Sequence, residues 1–161
     1  MTAQQIPIAG VTPTLQLLYT SEIEIEAPLQ VGHSPCGERR IINITGGSFS
    51  GPRLSGQVLR GGADWQIVLK DGLTQVDARY TLQTDDGALI YITNWGLRHG
   101  SKEAIARMGA GEYVDPNEYY FRTHPRFETG APKYDWLNKV ISVAAGERLA
   151  DKVIITVYEV T

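Results

Sequence analysis

The sequence has a single cysteine, no long apolar run and no excess of positive charge. Cys36 alone excludes an internal disulfide, which is compatible with a reducing compartment such as the cytoplasm. No apolar run approaches the roughly 18 residues that a membrane-spanning helix needs. Residues 1–5 lack the basic and apolar regions of a secretory signal. We therefore expect a cytoplasmic protein without a membrane partner.

Charge and cofactor-binding motifs are equally sparse. Fifteen Lys and Arg residues against 18 Asp and Glu give a net charge of −3, which leaves no basic face for a nucleic acid. The three histidines show none of the short spacings typical of metal sites. The glycine-rich run at 46–51 lacks the Lys-Ser/Thr ending and the following helix of a phosphate loop. We expect no nucleic-acid partner, no metal and no cofactor.

Short strands dominate what is present. Of the 161 residues, 42% are hydrophobic and 20% charged, typical of one soluble domain that buries roughly 70% of its unfolded surface. Residues 15–26 alternate between apolar and acidic side chains, as a half-buried strand does. Further strand-like runs follow at 39–49, 54–59, 64–70, 73–83, 88–96, 118–127, 138–144 and 152–160.

One helical run interrupts the strands. Residues 101–108 read as one or two helical turns, with Ser101 as N-cap and Gly109 as terminator. The pair Gly46-Gly47 inside a strand predicts a bulge or a barrel corner. Eight or nine strands with almost no helix predict an all-β fold, a single antiparallel barrel with one short helix in a long loop. We assign residues 1–14 to an N-terminal arm and 15–161 to the barrel.

The segment 61–96 is the most informative part of the chain. Asp71-Gly72 and Asp85-Asp86-Gly87 separate three runs rich in Val, Ile, Tyr, Trp and Thr. An Asp-Gly pair between such runs is a strong hairpin signal, because glycine accepts positive φ without steric cost. The segment therefore reads as a three-stranded meander.

Counting outward from two-residue turns predicts the cross-strand partners. Asp64 then faces Arg79, Arg79 faces Asn94, and Gln66 faces Asp77, so that these residues form a polar row on one face. Two interpretations stay open: the polar row lies on the solvent-exposed surface of the sheet, or it lines the barrel interior or a cleft. A three-residue turn would change each hairpin's pairing by one residue and reassign the faces. The opposite face would carry Trp65, Ile67, Leu69, Val76, Ala78, Tyr80, Leu82, Tyr91 and Trp95.

Several motifs together resemble domain-of-unknown-function family 3237, also known as uncharacterised protein family 0311. The resemblance covers most of residues 15–160 and implies a compact β-barrel similar to the lipocalin-like or calycin barrels, without implying a reaction. It also favours the interpretation of the polar row as a site. The motifs are Gly37-Glu38-Arg39-Arg40, Gly46-Gly47-Ser48-Phe49-Ser50-Gly51-Pro52, Gly61-Gly62-Ala63-Asp64-Trp65, Asp71-Gly72, Asp77-Ala78-Arg79-Tyr80, Asp85-Asp86-Gly87, Tyr120-Phe121-Arg122, Phe127 and Trp136-Leu137-Asn138.

A barrel of this size can hold one small ligand. We predict a cofactor-independent enzyme that performs acid–base chemistry of the isomerase, lyase or hydratase type on a small, partly apolar carbonyl or carboxylate compound. Asp77 is the predicted general acid or base, since a carboxyl group walled by aromatic rings suits proton transfer. Arg79 and Arg122 bind an anionic oxygen, and Tyr120 or Tyr91 donates a hydrogen bond. The predicted substrate-binding residues are Asp64, Trp65, Tyr80, Tyr91, Asn94, Trp95 and Trp136.

Two other functions remain open. The same pocket would serve a non-catalytic small-molecule-binding barrel, and edge strands that pair between chains would serve a structural protein. The expected partner is a small organic ligand. Because both faces of the meander carry apolar residues, we also predict a homodimer.

Overall fold

The structure is a computed structural model that describes residues 10–161. Within these residues, ten strands follow one another, and one α-helix lies between the seventh and the eighth. Helix α1 spans Lys102–Gly109, and two 3-10 segments cover Pro116–Glu118 and Pro132–Lys139. The strands are β1 (Leu15–Ile25), β2 (Leu29–Ser34), β3 (Gly37–Ser50), β4 (Ser55–Val58), β5 (Ala63–Val68), β6 (Thr74–Thr84), β7 (Leu89–Gly100), β8 (Tyr119–Glu128), β9 (Ile141–Arg148) and β10 (Lys152–Val160).

The strands close into an antiparallel barrel. Its neighbours in order are β1, β10, β9, β8, β7 and β6, and β3 completes the circle by pairing with β1. The place between β6 and β3 is filled by two short strands, β4 and β5. Each of these two strands pairs with β6 on one side and with β3 on the other. The wall of the barrel is therefore eight strands wide when β4 and β5 are counted as one. The predicted all-β antiparallel barrel is confirmed.

Strand β3 is long enough to pair with two segments along one edge. Its second half pairs with β1 and its first half with β2, which resumes the line of β1 after an interruption at Pro28. The register with β1 shifts where Glu24 faces Gly46 and Ile25 faces Ile44. The bulge predicted at the glycine pair is therefore confirmed. The sequence prediction missed β2, a short strand next to a proline.

Three-residue turns close both hairpins of the 61–96 meander. The N–H of Leu69 donates to the carbonyl of Leu73, and the N–H of Thr84 donates to the carbonyl of Ala88, each at 2.8–2.9 Å. The third turn residues, Gly72 and Gly87, have φ of +88° and +90°. This left-handed conformation carries no steric cost for glycine. The prediction of two-residue turns is wrong.

The longer turns move every pairing in the meander by one residue. Arg79 faces Ala63 on one side and Thr93 on the other, in place of Asp64 and Asn94. The odd-numbered positions of β6 are therefore on the same face as the odd-numbered positions of β5 and β7.

The inner face of the barrel changes from apolar to polar along its length. Inward positions of β7 run from Ile90 and Ile92, both fully buried, through Asn94 to Arg98. Side chains at alternate residues of a strand point to the same side, so these residues form one inward line. At the apolar end, the Tyr19 ring packs edge-on against Phe49 and Phe127. The polar end of this line positions the site described below.

The predicted helix is present in the connection between β7 and β8. Ser101 caps it, since its Oγ accepts the N–H of Ala104 at 3.1 Å. The predicted N-terminal arm falls mostly on residues 1–9, which lie outside the described residues; its last residue, Thr14, pairs with Thr161. Within residues 10–161, no helix has both the length and the apolar character needed to cross a bilayer.

Candidate active site inside the barrel

The register found in the structure brings together residues that the sequence prediction had placed on opposite faces. Asp64 faces Ala78, and Ala78 faces Asn94. Because paired residues share a face, Asp64 and Asn94 lie inside the barrel, with Tyr80 one inward position along β6. Tyr80 and Asn94 are each only 3% exposed. These three predicted substrate-binding residues line one cavity.

Asp77 and Arg79, predicted as catalytic residues, lie on the outer face of the barrel. Their neighbours Ala78 and Tyr80 take the inward positions of β6. Arg79 Nη2 lies 3.5 Å from Asp77 Oδ1, and both side chains are close to half exposed. The Arg79 guanidinium carbon also lies 5.8 Å from the centre of the Trp65 ring. The prediction that Asp77 and Arg79 point into the pocket is wrong, because the three-residue turns exchange the faces.

Tyr120 and Arg122 also lie outside the pocket. They alternate along β8 with Phe121 and Thr123, which are buried and line the inner cavity. The Arg122 guanidinium lies 5.4 Å from the centre of the Tyr120 ring. The two residues do share a face, as predicted, but it is the outer one.

The remaining predicted residues are aromatic and lie outside the inner cavity. Trp65, Tyr91 and Trp95 occupy the odd-numbered, outward positions of β5 and β7, and Trp95 is 51% exposed. Trp136 lies in the 3-10 segment before β9, with the Arg53 guanidinium 3.4 Å above its ring. The structure therefore does not bring these four residues to the cavity.

Among residues 10–161, Asp64 provides the carboxylate that lines the inner cavity. Its Oδ1 accepts the backbone N–H of Asp77 at 2.9 Å, and its Oδ2 accepts Gln66 Nε2 at 2.6 Å. Burial raises the pKa of the Asp64 carboxyl above its ordinary value, and the hydrogen bonds from Gln66 and Asp77 oppose the rise. Asp64 is thus held in one orientation and biased towards its protonated form.

Four polar atoms around the cavity are buried without a hydrogen-bond partner in the described part of the chain. They are Tyr80 Oη, Asn94 Oδ1, Arg98 Nε and Thr123 Oγ1. Buried polar atoms are normally paired, since an unpaired one costs about 1–3 kcal/mol. Their concentration around one cavity indicates a site for a polar ligand.

Three arginines from different strands converge at the polar end of the barrel. Burial, together with the charges of Arg40 and Arg148, lowers the pKa of Arg98 to about 10, so Arg98 remains a cation at neutral pH. Arg40 Nη2 donates to Gln66 Oε1 at 2.7 Å. Because Gln66 donates in turn to Asp64, a chain of hydrogen bonds links the arginine cluster to the buried carboxylate.

The site consists of a narrow inner cavity and a wider vestibule. The inner cavity has a volume of about 50 Å³, room for roughly three to five water-sized groups. The vestibule has a volume of about 350 Å³ and is bordered by Ile105 and Met108 of α1, which places it in the usual size range of ligand pockets. Ile42, Arg98 and Arg148 line both spaces and mark the passage between them.

The sequence prediction missed the arginines of this site. Arg98 lies four residues beyond Asn94 on the same strand, so alternation along β7 identifies it once the inward face is known. Arg40 and Arg148 come from β3 and the end of β9, and no local pattern links them to the meander. Gln66 belongs to the predicted polar row, although no role is assigned to it there.

The described residues offer no obvious metal centre. No three His, Cys, Asp or Glu side chains between residues 10 and 161 lie close enough together to hold a metal ion. Cys36 is an exposed free thiol in the turn between β2 and β3. The ionisable chemistry of the inner cavity therefore rests on Asp64 and on the arginines.

Fold and site together define a class of protein: a closed antiparallel barrel with a polar, arginine-bordered pocket at one end of an apolar core. The chain belongs to the family described as "Protein of unknown function (DUF3237)", whose family model matches residues 13–160. The family resemblance identified from the sequence motifs is thereby confirmed.

Similar proteins share the whole barrel. A UPF0311 protein from Rhodopseudomonas palustris is 45% identical over 151 residues, which are 92% of this chain and 99% of that protein. Its family has solved structures: a conserved protein of unknown function from the same organism has a TM-score of 0.88 at 44% identity, covering 93% of this chain and all of that one. A "beta-barrel like protein" from Acinetobacter baumannii has a TM-score of 0.83 at 44% identity and covers 98% of this chain and all of its own.

One relative carries an activity in its name. The "Hydroalkoxylation enzyme phnH" of Penicillium herquei is 28% identical over 128 residues, covering 80% of this chain and 70% of that enzyme. A crystal structure of an enzyme from Penicillium herquei has the same fold, with a TM-score of 0.72 at 21% identity over 97% of this chain and all of that one.

Proposed function

We propose that the protein is a cofactor-free enzyme that moves protons on a small, partly apolar carbonyl or carboxylate compound bound inside the barrel. Isomerase, lyase and hydratase reactions all fit this description, as they did from the sequence. The observation that carries the proposal is the buried carboxylate of Asp64, held by two hydrogen bonds beside the unpartnered polar atoms of Tyr80, Asn94 and Thr123.

Asp64 takes the role of general acid or base in place of Asp77. A catalytic carboxyl works best when its pKa lies near the working pH, and burial raises the pKa of Asp64 in that direction. In its ionised form, Asp64 removes a proton from the carbon next to a substrate carbonyl, and the C–H electron pair moves into an enolate. Return of that proton from Asp64 to a different carbon completes an isomerisation.

The surrounding groups fit the charge that develops in such a step. Arg98 is a buried cation on the same cavity as Asp64, and a cation in a low-dielectric pocket stabilises an enolate oxygen strongly. Burial raises the pKa of Tyr80, which keeps its hydroxyl neutral and able to donate a hydrogen bond. Arg98 thus takes the role that the sequence prediction gave to Arg79 and Arg122, and Tyr80 the role that it gave to Tyr120 or Tyr91.

The named activity of one relative is consistent with this chemistry. Hydroalkoxylation adds the O–H of an alcohol across a carbon–carbon double bond, so one proton leaves oxygen and one arrives at carbon. A positioned acid–base group suffices for that step, with no electron transfer. The Penicillium herquei enzyme that bears this name is 28% identical to the chain over 128 residues, which supports proton-transfer chemistry for the present chain without naming its substrate.

Exchange of carbon-bound protons with solvent deuterium tests the proposal. We would incubate the protein in D₂O with a panel of small enolisable carbonyl acids and follow deuterium incorporation by proton NMR. The wild-type protein is expected to accelerate exchange for part of the panel. Asp64→Asn is expected to lose about a hundredfold or more of that rate. Asp77→Asn, which changes a carboxylate on the outer face of the same hairpin, is the matched control and should retain it.

Two results would speak against the assignment. Loss of exchange in Asp77→Asn with normal exchange in Asp64→Asn would move the chemistry to the outer face. Binding of panel compounds without any exchange would favour the alternative, a non-catalytic binding barrel. The arginines support that alternative, because Arg40, Arg98 and Arg148 would hold an anion whether or not Asp64 transfers a proton.

A further inference from the structure

Three arginines, Arg40, Arg98 and Arg148, line the inner cavity and the vestibule, whereas Asp64 is the one carboxylate among residues 10–161 that lines either space. The like charges of Arg40 and Arg148 lower the pKa of Arg98, and the charge of the Asp64 carboxylate raises it. Arg40 is acted on by two carboxylates, Asp64 and Glu38, and Arg148 by one, Asp151. Arg98 is the most buried of the three, and Glu38 and Asp151 are not among the charges that act on it.

Arg98 is buried without the partners that a buried cation normally has. Arg98 is only 7% exposed, and its Nε atom has no hydrogen-bond partner among residues 10–161. The ion pairs found in that part of the chain all involve other residues. The Phe121 ring centre lies 5.6 Å from the Arg98 guanidinium carbon. An unpaired buried charge is costly, which argues that it serves a ligand.

The two spaces on either side of Arg98 constrain the shape of that ligand. The inner cavity of about 50 Å³ is lined by Asp64 and other polar side chains together with several aliphatic ones, so it admits an arm of about three to five non-hydrogen atoms. The vestibule of about 350 Å³ has room for a larger part beside Ile105 and Met108. An anionic group at Arg98 would lie between these two parts.

We propose that the arginine cluster binds a substrate carboxylate, with a short reactive arm beside Asp64 and the larger remainder of the molecule under helix α1. This inference rests on the proposed acid–base function and narrows its substrate class. The substrate is a carboxylic acid whose reactive carbon lies near the carboxylate, since Asp64 and Arg98 line the same cavity. A neutral carbonyl compound of the same shape is excluded as the preferred substrate.

A carboxylate fits this cluster better than other anions. A guanidinium presents parallel N–H groups that match the two oxygens of a planar carboxylate. Inorganic phosphate or sulfate has no apolar part to cover Ile23, Ile42 and Ile155, which line the inner cavity. Arginine binds such planar groups through two hydrogen bonds, so a lysine in the same place would not be equivalent.

Binding of a matched pair of probes tests the inference. Phenylacetate and phenylacetamide have the same shape and differ by one charge, and isothermal titration calorimetry measures both. Phenylacetate is expected to bind the wild-type protein at least tenfold more tightly than the amide, with an affinity that falls as salt is added. Arg98→Met should weaken phenylacetate binding by about tenfold to a hundredfold, and Arg98→Lys by less. Arg79→Met, on the outer face, is the control and should bind normally.

Equal affinity for the acid and the amide would overturn the inference, as would unchanged phenylacetate affinity in Arg98→Met. Absence of any phenylacetate binding by the wild-type protein counts against it equally. If Arg98→Met does not fold, Arg98→Lys carries the test, because it keeps the charge and loses the planar fork. Failure of this inference is distinguishable from failure of the proposed function. Asp64→Asn should lose deuterium exchange and keep phenylacetate binding, whereas Arg98→Met and Arg98→Lys should weaken phenylacetate binding itself.

Discussion

The Asp64 carboxylate, on the inside of the barrel, accepts the backbone N–H of Asp77 at 2.9 Å. The pairing of β5 with β6 is interrupted at this point, between Asp64–Ala78 and Ile67–Gln75. A side chain therefore replaces a backbone carbonyl in the ladder. This contact ties the candidate catalytic group to the strand that carries the other aspartate, and it gives Asp64 a structural role beside its chemical one.

The two roles of Asp64 separate in its variants. Asp64→Asn keeps an oxygen that accepts the Asp77 N–H, whereas Asp64→Ala leaves that donor unpartnered. We expect Asp64→Ala to be less stable than Asp64→Asn by about 1 kcal/mol or more, the cost of an unsatisfied buried donor. Urea unfolding followed by circular dichroism measures the difference. Equal stability of the two variants would mean that the contact contributes nothing to the fold.

The glycines of the two turns should be intolerant of side chains. Gly72 has φ of +88°, in a region that costs a residue with a Cβ roughly 1–2 kcal/mol. Gly72→Ala is therefore expected to lower the free energy of unfolding by about 1 kcal/mol. Gly130→Ala is the control, because Gly130 has an ordinary φ and open space where its Cβ would lie, and it should change stability by less than about 0.5 kcal/mol. Equal effects at the two sites would contradict the turn geometry.

The strands of the meander were predictable from the sequence, but the face they turn inward was not. Alternation of apolar residues and the two Asp-Gly pairs locate β5, β6 and β7 to within a few residues. An Asp-Gly pair is compatible with a turn of two or of three residues. The difference of one residue in turn length decides whether Asp77 or Asp64 lies inside the barrel, since side chains alternate along a strand.

The arginine cluster was beyond sequence reasoning for a different reason. Arg40 and Arg148 are more than 100 positions apart in the chain, and they meet because the start of β3 and the end of β9 lie at the same mouth of the barrel. Only the closed topology brings them to Arg98. The sequence motif at Gly37-Glu38-Arg39-Arg40 marks one of the three, yet a charged pair at a strand start is equally typical of an exposed surface.

Arg98 is expected to serve binding at the expense of stability. Its charge is buried and lies beside two like charges. Replacing Arg98 with an apolar side chain of similar length should therefore remove an unfavourable buried charge from the ligand-free protein. We expect Arg98→Met to raise the free energy of unfolding at neutral pH by on the order of 1 kcal/mol. Arg79→Met, on the outer face, should stay within about 0.5 kcal/mol of wild type. A marked loss of stability in Arg98→Met would show that Arg98 holds the barrel together.

The homodimer remains a prediction, and the outer face suggests where it forms. Tyr91, Trp95 and Tyr120 are large, exposed side chains on neighbouring strands β7 and β8, and exposed aromatic residues are enriched at protein interfaces. We expect sedimentation to show a dimer at micromolar concentration and Trp95→Ser to shift it towards monomer. Leu29→Ser, at an exposed position on β2, is the control. A wild-type monomer would refute the prediction.

Two aspartates should affect stability with opposite dependence on pH. Burial raises the pKa of Asp64 above its ordinary value of 3.8. At Asp86, a hydrogen bond from Lys133 and further ones from Thr84 and Tyr134 lower the pKa well below the same value. The first carboxyl is thus stabilised by the fold in its protonated form, and the second in its ionised form.

The sign of each contribution follows from where the proton is held. The folded protein binds the Asp64 proton more tightly than the unfolded chain does. Stability due to Asp64 therefore falls as pH rises from about 3.8 through the raised pKa, and stays lower above it. The folded protein binds the Asp86 proton less tightly, so stability due to Asp86 is present above about pH 3.8 and is lost as pH falls below it.

Substitution by asparagine removes each titration and reveals its sign. Urea unfolding of wild type, Asp64→Asn and Asp86→Asn at a series of pH values between about 3 and 8 gives the difference from wild type at each pH. As pH rises, Asp64→Asn should gain stability relative to wild type, and Asp86→Asn should lose it. Burial outweighs the groups that oppose the gain, which are Gln66, the N–H of Asp77 and the charge of Arg98, and the charge of the Asp77 carboxylate adds to the gain. A loss of stability in Asp64→Asn relative to wild type as pH rises would mean that the Asp64 carboxyl is not desolvated, and the acid–base assignment would lose its physical basis.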